Sequence, residues 1–562
     1  MTPVMPIRCA VRDPRTDSMI TRDGIRLVAD IWEPVGGGPH PVLMMRQAYG
    51  RAIGPSLCYA PPGWYASHGY IVVMQDVRGR GASGGTFELF RHEARDGADS
   101  IAWAATLPNA NGRVGLFGFS FQGTNQLLAA SEPCPALRAI APAMIGWDLR
   151  TDWAYENGAF PLRANLGWAT QLAAETARLA GDHAAQAELF SSSRNLPLQG
   201  ARPGRPDYMQ RLGRYSHYGD WADHPEDGPD WQAISPSAHR DAIIRNQPAV
   251  FLIGGWYDSH LPGTLAAYAA LHGQVPLRLT IGPWAHFPWD RKVGDLDFGD
   301  DAITDIDQQQ IRWFDRWLKD EPAPAGSEPV LRLFDMGACR WHEPNRLDEA
   351  HEPWWLAGTG RAAIDTRDGT LIPTPGLPST EVLVQDPWRP PAPVGGSFGI
   401  PPGPVDRRTT DARADLLTFT SMPFAAARLI SGSVRLHLAV DTEAASFDLH
   451  AVLSRVTAEG ACYALAEGYG SFEPTPDPVR LPMRATCVTL QPGERLRVSV
   501  AAACFPAFPV NPGTGARPWD ATLDMLQVVT LRVCTGAASG SVLQLPFAVL
   551  RPDPSGDQPR FP

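Results

Sequence analysis

The 562-residue chain is too long for one hydrophobic core, so two to four domains are expected. Its 44% hydrophobic and 19% charged content is that of a globular protein and excludes a disordered one. A net charge of −11, with no block of Lys or Arg, excludes a nucleic-acid-binding surface.

The eight cysteines (9, 58, 134, 339, 462, 487, 504 and 534) form no C-x-x-C pair, which argues against structural zinc and a disulfide framework. The first thirty residues hold no continuous apolar stretch, so no signal peptide is expected, and no run of 18 apolar residues predicts a membrane span. A soluble, cytoplasmic protein without metal or organic cofactor is the resulting expectation, and a homo-oligomer is left open.

In chain order, Arg22-Asp23-Gly24 reads as a turn, followed by an alternating strand through Ile25, Leu27, Ala29 and Ile31. Pro41–Met45 and Tyr70–Met74 are apolar strands. Asp96–Thr106 is helix-length and leads into a strand that ends in Val114-Gly115-Leu116-Phe117-Gly118-Phe119-Ser120. A helix-compatible run, Thr124–Ala130, follows. Small residues flank Ser120, as a serine at a sharp strand-to-helix turn requires, and the next N–H then opens a helix where it can bind developing negative charge. Taken alone, this motif also fits a buried strand and a Gly/Ser turn. It departs from G-x-S-x-G, because Gln122 sits at the second glycine and Gly123 comes one residue late.

Apolar strands resume at Ala249–Gly254 and Leu277–Gly282, and continuous apolar runs alternating with helices predict a mostly parallel sheet covered on both faces. Between Gly146 and Asn246 the pattern lapses. Leu166–Leu189 carries apolar residues at helical spacing, so a helical cap is expected there, and Ile303–Lys319 is an amphipathic helix that closes the α/β part. Beyond about residue 350, Pro/Gly-rich turns separate short alternating strands such as Val434–Val440, Leu496–Val500 and Val528–Arg532, the texture of a β-sandwich or jelly roll. The expected division is residues 1–145 and 247–350 for the α/β domain, 146–246 for the cap and 351–562 for the jelly roll.

A serine nucleophile needs a base and an orienting carboxylate. Asp258 follows the strand at 249–254, and His286 follows the one at 277–282. The order Ser120, Asp258, His286 is that of the α/β-hydrolases, although each residue alone has an ordinary role, Asp258 as a helix N-cap and His286 on the surface. Gly79-Arg80-Gly81-Ala82-Ser83-Gly84 satisfies G-x-G-x-x-G, but no helix opens there, so it reads as a structural loop beside the site and no NAD(P) is expected.

The blocks Gly118–Gly123, Gly255-Trp256-Tyr257-Asp258 and Gly282-Pro283-Trp284-Ala285-His286 resemble those of the CocE/NonD (cocaine esterase-like) hydrolases, relatives of X-Pro dipeptidyl-peptidases and α-amino-acid ester hydrolases. The likeness extends to Gln75–Gly79, Trp313–Lys319 and Asp406–Leu417, so it spans nearly the whole chain. In that group the elbow is G-x-S-[YF]-x-G, which the late Gly123 fits. The resemblance implies an α/β-hydrolase fold with an inserted helical cap and a C-terminal jelly roll. It also implies an oxyanion hole from the Tyr49 hydroxyl and the Phe121 N–H, with Ala48 where the family often has proline. Trp153 and Trp168 would wall an acyl pocket around an aromatic ring, or simply pack the cap. The α-amino-acid ester hydrolases carry Glu-Asp two and three residues after the triad aspartate. Here His260 and Leu261 stand there, so recognition of a free α-amino group by that device is not expected, and His260 is read as lining the pocket.

The function expected is hydrolysis of a small-molecule carboxylic ester, or an amide, through an acyl-enzyme. X-Pro dipeptidyl aminopeptidase and β-lactam or α-amino acyl hydrolase are alternatives, as is a non-enzymatic binding protein with a vestigial triad.

Overall fold

The apolar runs pair into one ten-stranded sheet. The computed structural model describes residues 5–52, 58–287, 289–321, 329–347, 350–536 and 540–549. The strands are β1 (Arg15–Ile20), β2 (Arg26–Trp32), β3 (His40–Gln47), β4 (Ile71–Asp76), β5 (Ala110–Phe119), β6 (Leu137–Ala143), β7 (Ala249–Tyr257) and β8 (Leu277–Ala285), then Leu331–Asp335 and Arg340–His342. The spatial order is β1-β2-β4-β3-β5-β6-β7-β8, followed by the last two strands. From β4 to Leu331–Asp335 every pairing is parallel, while β1, β2 and Arg340–His342 join antiparallel at the edges. Strands β4 and β7 are buried along their whole length, as strands covered by helices on both faces must be.

The short helix α1 (Pro62–Ala66) precedes β4, α2 (Glu93–Ala104) precedes β5, and α3 (Phe121–Ser131) starts one residue past Ser120. The stretch read as one helical run, 166–189, is two helices, α4 (Leu162–Leu179) and α5 (His183–Arg194). The break has a local cause. Gly181 takes a left-handed φ of +77°, and the Asp182 carboxylate caps α5 by accepting the Ala185 N–H at 3.0 Å. Four shorter helices complete the inserted segment: α6 (Asp207–Leu212), α7 (Tyr218–Asp223), α8 (Pro229–Ile234) and α9 (Arg240–Asn246). Helix α10 (Leu261–Leu271) links β7 to β8, and α11 (Ile306–Leu318) buries Ile306, Ile311, Phe314 and Leu318.

From His351 onward, eleven strands form a second sheet system, antiparallel except where Thr370–Ile372 runs beside Leu417–Ser421. It is the jelly-roll β-sandwich. The Asp335 carboxylate ties it to the α/β sheet, accepting the Thr489 N–H at 2.8 Å and the Thr489 hydroxyl at 2.5 Å. At the end of β7, the buried Tyr257 hydroxyl donates to the Ala464 carbonyl at 2.9 Å.

Helix α11 braces the strand that carries Ser120. A Cβ on Gly115 of β5 would lie 2.8 Å from the Phe314 ring and 2.9 Å from Leu318, so the strand is bare there to admit the helix. Phe314 is fully buried. Replacing it with alanine is expected to lower the unfolding free energy by about 3–5 kcal/mol, measured by urea titration.

Candidate active site

Ser120 sits between β5 and α3 with φ 57° and ψ −122°, in a left-handed conformation that a non-glycine residue adopts only when its surroundings impose it. The turn is held from beneath, where the Ser120 N–H donates to the Ala143 carbonyl of β6 at 2.8 Å. Two glycines make room for it. A Cβ at Gly118 would lie 2.6 Å from Gln122 Cβ, and one at Gly123 would lie 2.5 Å from Ile145 Cγ2 and 2.7 Å from the Ala143 oxygen. The displaced glycine therefore has a physical reason. Residue 123 is the one pressed against β6, whereas Gln122 points to β3, donating to the Gln47 side chain at 2.8 Å.

Asp258 and His286 each stand one residue beyond the C-terminal end of a strand, β7 and β8. His286 Nε2 lies 3.2 Å from Ser120 Oγ, and its Nδ1 lies 2.8 Å from Asp258 Oδ1. Asp258 is fully buried. Burial alone would raise its carboxyl pKa, but the hydrogen bond and charge of His286 outweigh that, and it sits below its ordinary value.

Tyr49 lies just past β3, its ring set edge-on to Phe121 at 6.5 Å. Its hydroxyl accepts a hydrogen bond from Trp168 Nε1 at 2.9 Å. An indole can only donate, so this bond occupies a lone pair and leaves the phenol hydrogen free to donate elsewhere. Burial pushes the phenol up to about 12, against the Trp168 bond and the charge of Arg80, so that hydrogen is retained at neutral pH. The Phe121 N–H opens α3, among the donors a helix leaves without intrahelical acceptors.

A cavity of about 500 Å³ brings together Tyr49, Ser120, Trp153, Trp168, His260 and His286. Asp258 lies behind His286, outside the lining. Trp153 and Trp168 do not stand apart to clasp a ring. Their centroids are 5.0 Å from each other with planes tilted by 32°, so they form one aromatic wall. His260 extends it, 4.1 Å from Trp153 and 5.2 Å from His286. Burial pushes His260 down to about 4, so the ring is neutral at pH 7.

Sequence reasoning missed the polar lining. Arg484, from the sandwich, donates to the Ser259 carbonyl at 2.9 Å and pairs with Glu156. Arg163 donates to the Phe398 carbonyl, also of the sandwich. Nothing in the sequence around Arg484 points to residue 259. Asp152, beside Trp153, accepts the N–H groups of Trp147 and Asp148 at 3.1 and 2.9 Å through one oxygen. Burial outweighs these bonds and pushes its carboxyl up to about 8. Among the described residues, no group of three His, Cys, Asp or Glu side chains could hold a metal ion, and no helix is long and apolar enough to cross a membrane.

The X-Pro dipeptidyl-peptidase (S15 family) profile matches residues 23–288, and that of the X-Pro dipeptidyl-peptidase C-terminal non-catalytic domain matches residues 325–543. Cocaine esterase from Rhodococcus sp. (strain MB1 Bresler) is 30% identical over 94% of this chain and 97% of its own. Among solved structures, an α-amino acid ester hydrolase superposes with a TM-score of 0.78 at 22% identity, covering 96% of this chain and 97% of that one. A CocE/NonD family hydrolase from Staphylococcus aureus gives 0.67 at 17% identity, covering 97% and 99%.

Two measurements follow from this geometry. Trp168→Phe keeps an aromatic wall but removes the N–H on Tyr49, so kcat on an aryl ester is expected to fall by up to about tenfold with KM little changed. A shift in KM alone would assign Trp168 to packing. Asp152 holds its proton more tightly folded (about 8) than unfolded (roughly 3.9), so the stability it contributes below pH 4 is lost as pH rises through 8. Asp152→Asn should melt with the parent near pH 4 and above it at pH 8; a constant offset would contradict the assignment.

Proposed function

The chain belongs to the CocE/NonD family of hydrolases and is a serine hydrolase, and from that premise we propose that Ser120 cleaves carboxylic esters through an acyl-enzyme. One observation carries the assignment: the continuous hydrogen-bonded series Ser120 Oγ, His286, Asp258 opening into a cavity with an aromatic wall.

In the proposed reaction Ser120 Oγ attacks the acyl carbon while His286 Nε2 takes its proton. Asp258 holds the ring by Nδ1–H and stabilises the imidazolium that forms. The oxygen that becomes negative is met by the Tyr49 hydroxyl and the Phe121 N–H, each donor contributing about 3 kcal/mol. His286 returns the proton to the leaving alcohol, then deprotonates the water that releases the acid.

The lining supports an uncharged acyl group. Asp152 is held protonated, His260 neutral, and Glu156 is paired with Arg484, so no carboxylate of the lining is left to receive a substrate ammonium. This favours esters over X-Pro peptides and α-amino acyl substrates, despite the peptidase profile. An aromatic acyl group would lie against the Trp153–Trp168 wall; the name of the Rhodococcus relative supports the same class of substrate.

Ser120→Ala is expected to abolish both turnover of a 4-nitrophenyl ester and labelling by a fluorophosphonate; labelling that survived would remove Ser120 from the mechanism. In the same assays the parent should prefer a benzoyl to an acetyl ester and hydrolyse a free-amine Xaa-Pro anilide poorly. A preference for the anilide that vanished on blocking its amine would assign a dipeptidyl-peptidase instead.

A further inference from the structure

Besides His286, five side chains could bring charge into the active-site cavity at neutral pH: Asp152, Glu156, Arg163, His260 and Arg484. Four are answered within the protein. Asp152 is held protonated, His260 is neutral, and Glu156 and Arg484 pair with each other. Arg163 is not answered.

Arg163 stands in the first turn of α4, beside Pro161, Ala164 and Asn165, all of which line the chamber. That turn has no acidic residue. Arg163 Nη2 donates to the Phe398 carbonyl, which takes up one of the five N–H hydrogens a guanidinium carries. Nε and Nη1 have no acceptor among the described residues, and neither is sealed in, because the side chain is half-buried and faces the cavity.

No described carboxylate comes within ion-pair distance of this guanidinium. Glu467 bears on it only from farther off. That carboxylate is taken up by the N–H groups of Ser397 and Phe398, the latter at 2.9 Å, and by His450 Nε2 at 3.2 Å. Burial pulls the Arg163 pKa down, against Cys504 and Glu467, yet a group that titrates so far above neutrality stays charged. A half-buried cation with spare donors, in a chamber whose walls are otherwise mainly apolar, is suited to meet an anion.

The position of Arg163 says which part of a substrate would bring that anion. The rings of the Trp153–Trp168 wall meet Phe90, His217, Trp221 and His260, and none meets Phe398, the residue that holds Arg163. Phe398 packs instead on His450, Phe508 and the Arg484 guanidinium, in the sandwich. An acyl group laid on the wall leaves the alcohol part of the ester to reach Arg163.

We propose that Arg163 receives an ionised carboxylate on the alcohol part of the substrate, so that the favoured esters are those of carboxylate-bearing alcohols or phenols. The assignment rests on the reading of Ser120 as an esterase nucleophile with the acyl group along the aromatic wall. The carboxylate stays ionised throughout, and the leaving oxygen still takes its proton from His286.

The esters 3-carboxyphenyl benzoate and 3-carbamoylphenyl benzoate test this with the full-length protein at pH 7, the second being an uncharged control of equal size. For the parent, kcat/KM on the carboxylate ester should exceed that on the amide by at least about tenfold, mainly through KM, as a hydrogen bond to a charged group supplies. In Arg163→Gln the ratio should fall to about one. Ala164→Glu sets a carboxylate beside the guanidinium to compete for it, in a first helical turn that favours acidic residues. It should lower the ratio as well, and it carries the test if Arg163→Gln fails to fold. A parent ratio near or below one, or a parent-like ratio in either folded variant, would overturn the assignment while leaving Ser120 as nucleophile. Turnover of neither ester by the parent would instead remove the esterase reading, and this inference with it.

Discussion

The catalytic half of the molecule depends on a backbone held where it would not rest by itself. Ser120 at φ 57° costs on the order of 1–3 kcal/mol, and the surrounding sheet must supply it. The carbonyl of Ala143 grips the serine's N–H, Gly123 lets α3 descend onto that same strand, and Gly115 lets α11 brace β5 from the other face. Because the strain is opposed by rigid neighbours, the serine oxygen is aimed before any substrate arrives. The C-terminal ends of β7 and β8 then bring Asp258 and His286 to it from segments more than a hundred residues away.

Electrostatics make the pocket more selective than its residue types suggest. It is lined by an aspartate, a glutamate, two arginines and two histidines, yet burial and pairing remove most of that charge. Asp152 holds its proton, His260 loses its own, and Glu156 and Arg484 cancel. What remains is a low-charge chamber, in which any charge that develops beside Ser120 is little screened.

Much of this was legible in the sequence, for identifiable reasons. Strands buried on both faces leave continuous apolar runs, and in an α/β sheet the chemistry gathers where those runs end, which is how Ser120, Asp258 and His286 could be found together. The split between α4 and α5 was also written, in Gly181 and Asp182, but the apolar spacing on either side obscured it. Other features had no local signature. The reach of Arg484 to Ser259 exists only after the sandwich docks. The mutual stacking of Trp153 and Trp168 depends on how α4 lies across the preceding turn.

The docking of Arg484 and Phe398 has a consequence for how such a protein can change over time. A pocket built wholly within the α/β part could be altered by swapping one loop, and the sandwich could be exchanged as an accessory. Here the sandwich holds the carbonyl next to Asp258 and supplies part of the pocket lining, so the two halves of the gene must be inherited, recombined and diversified as one unit.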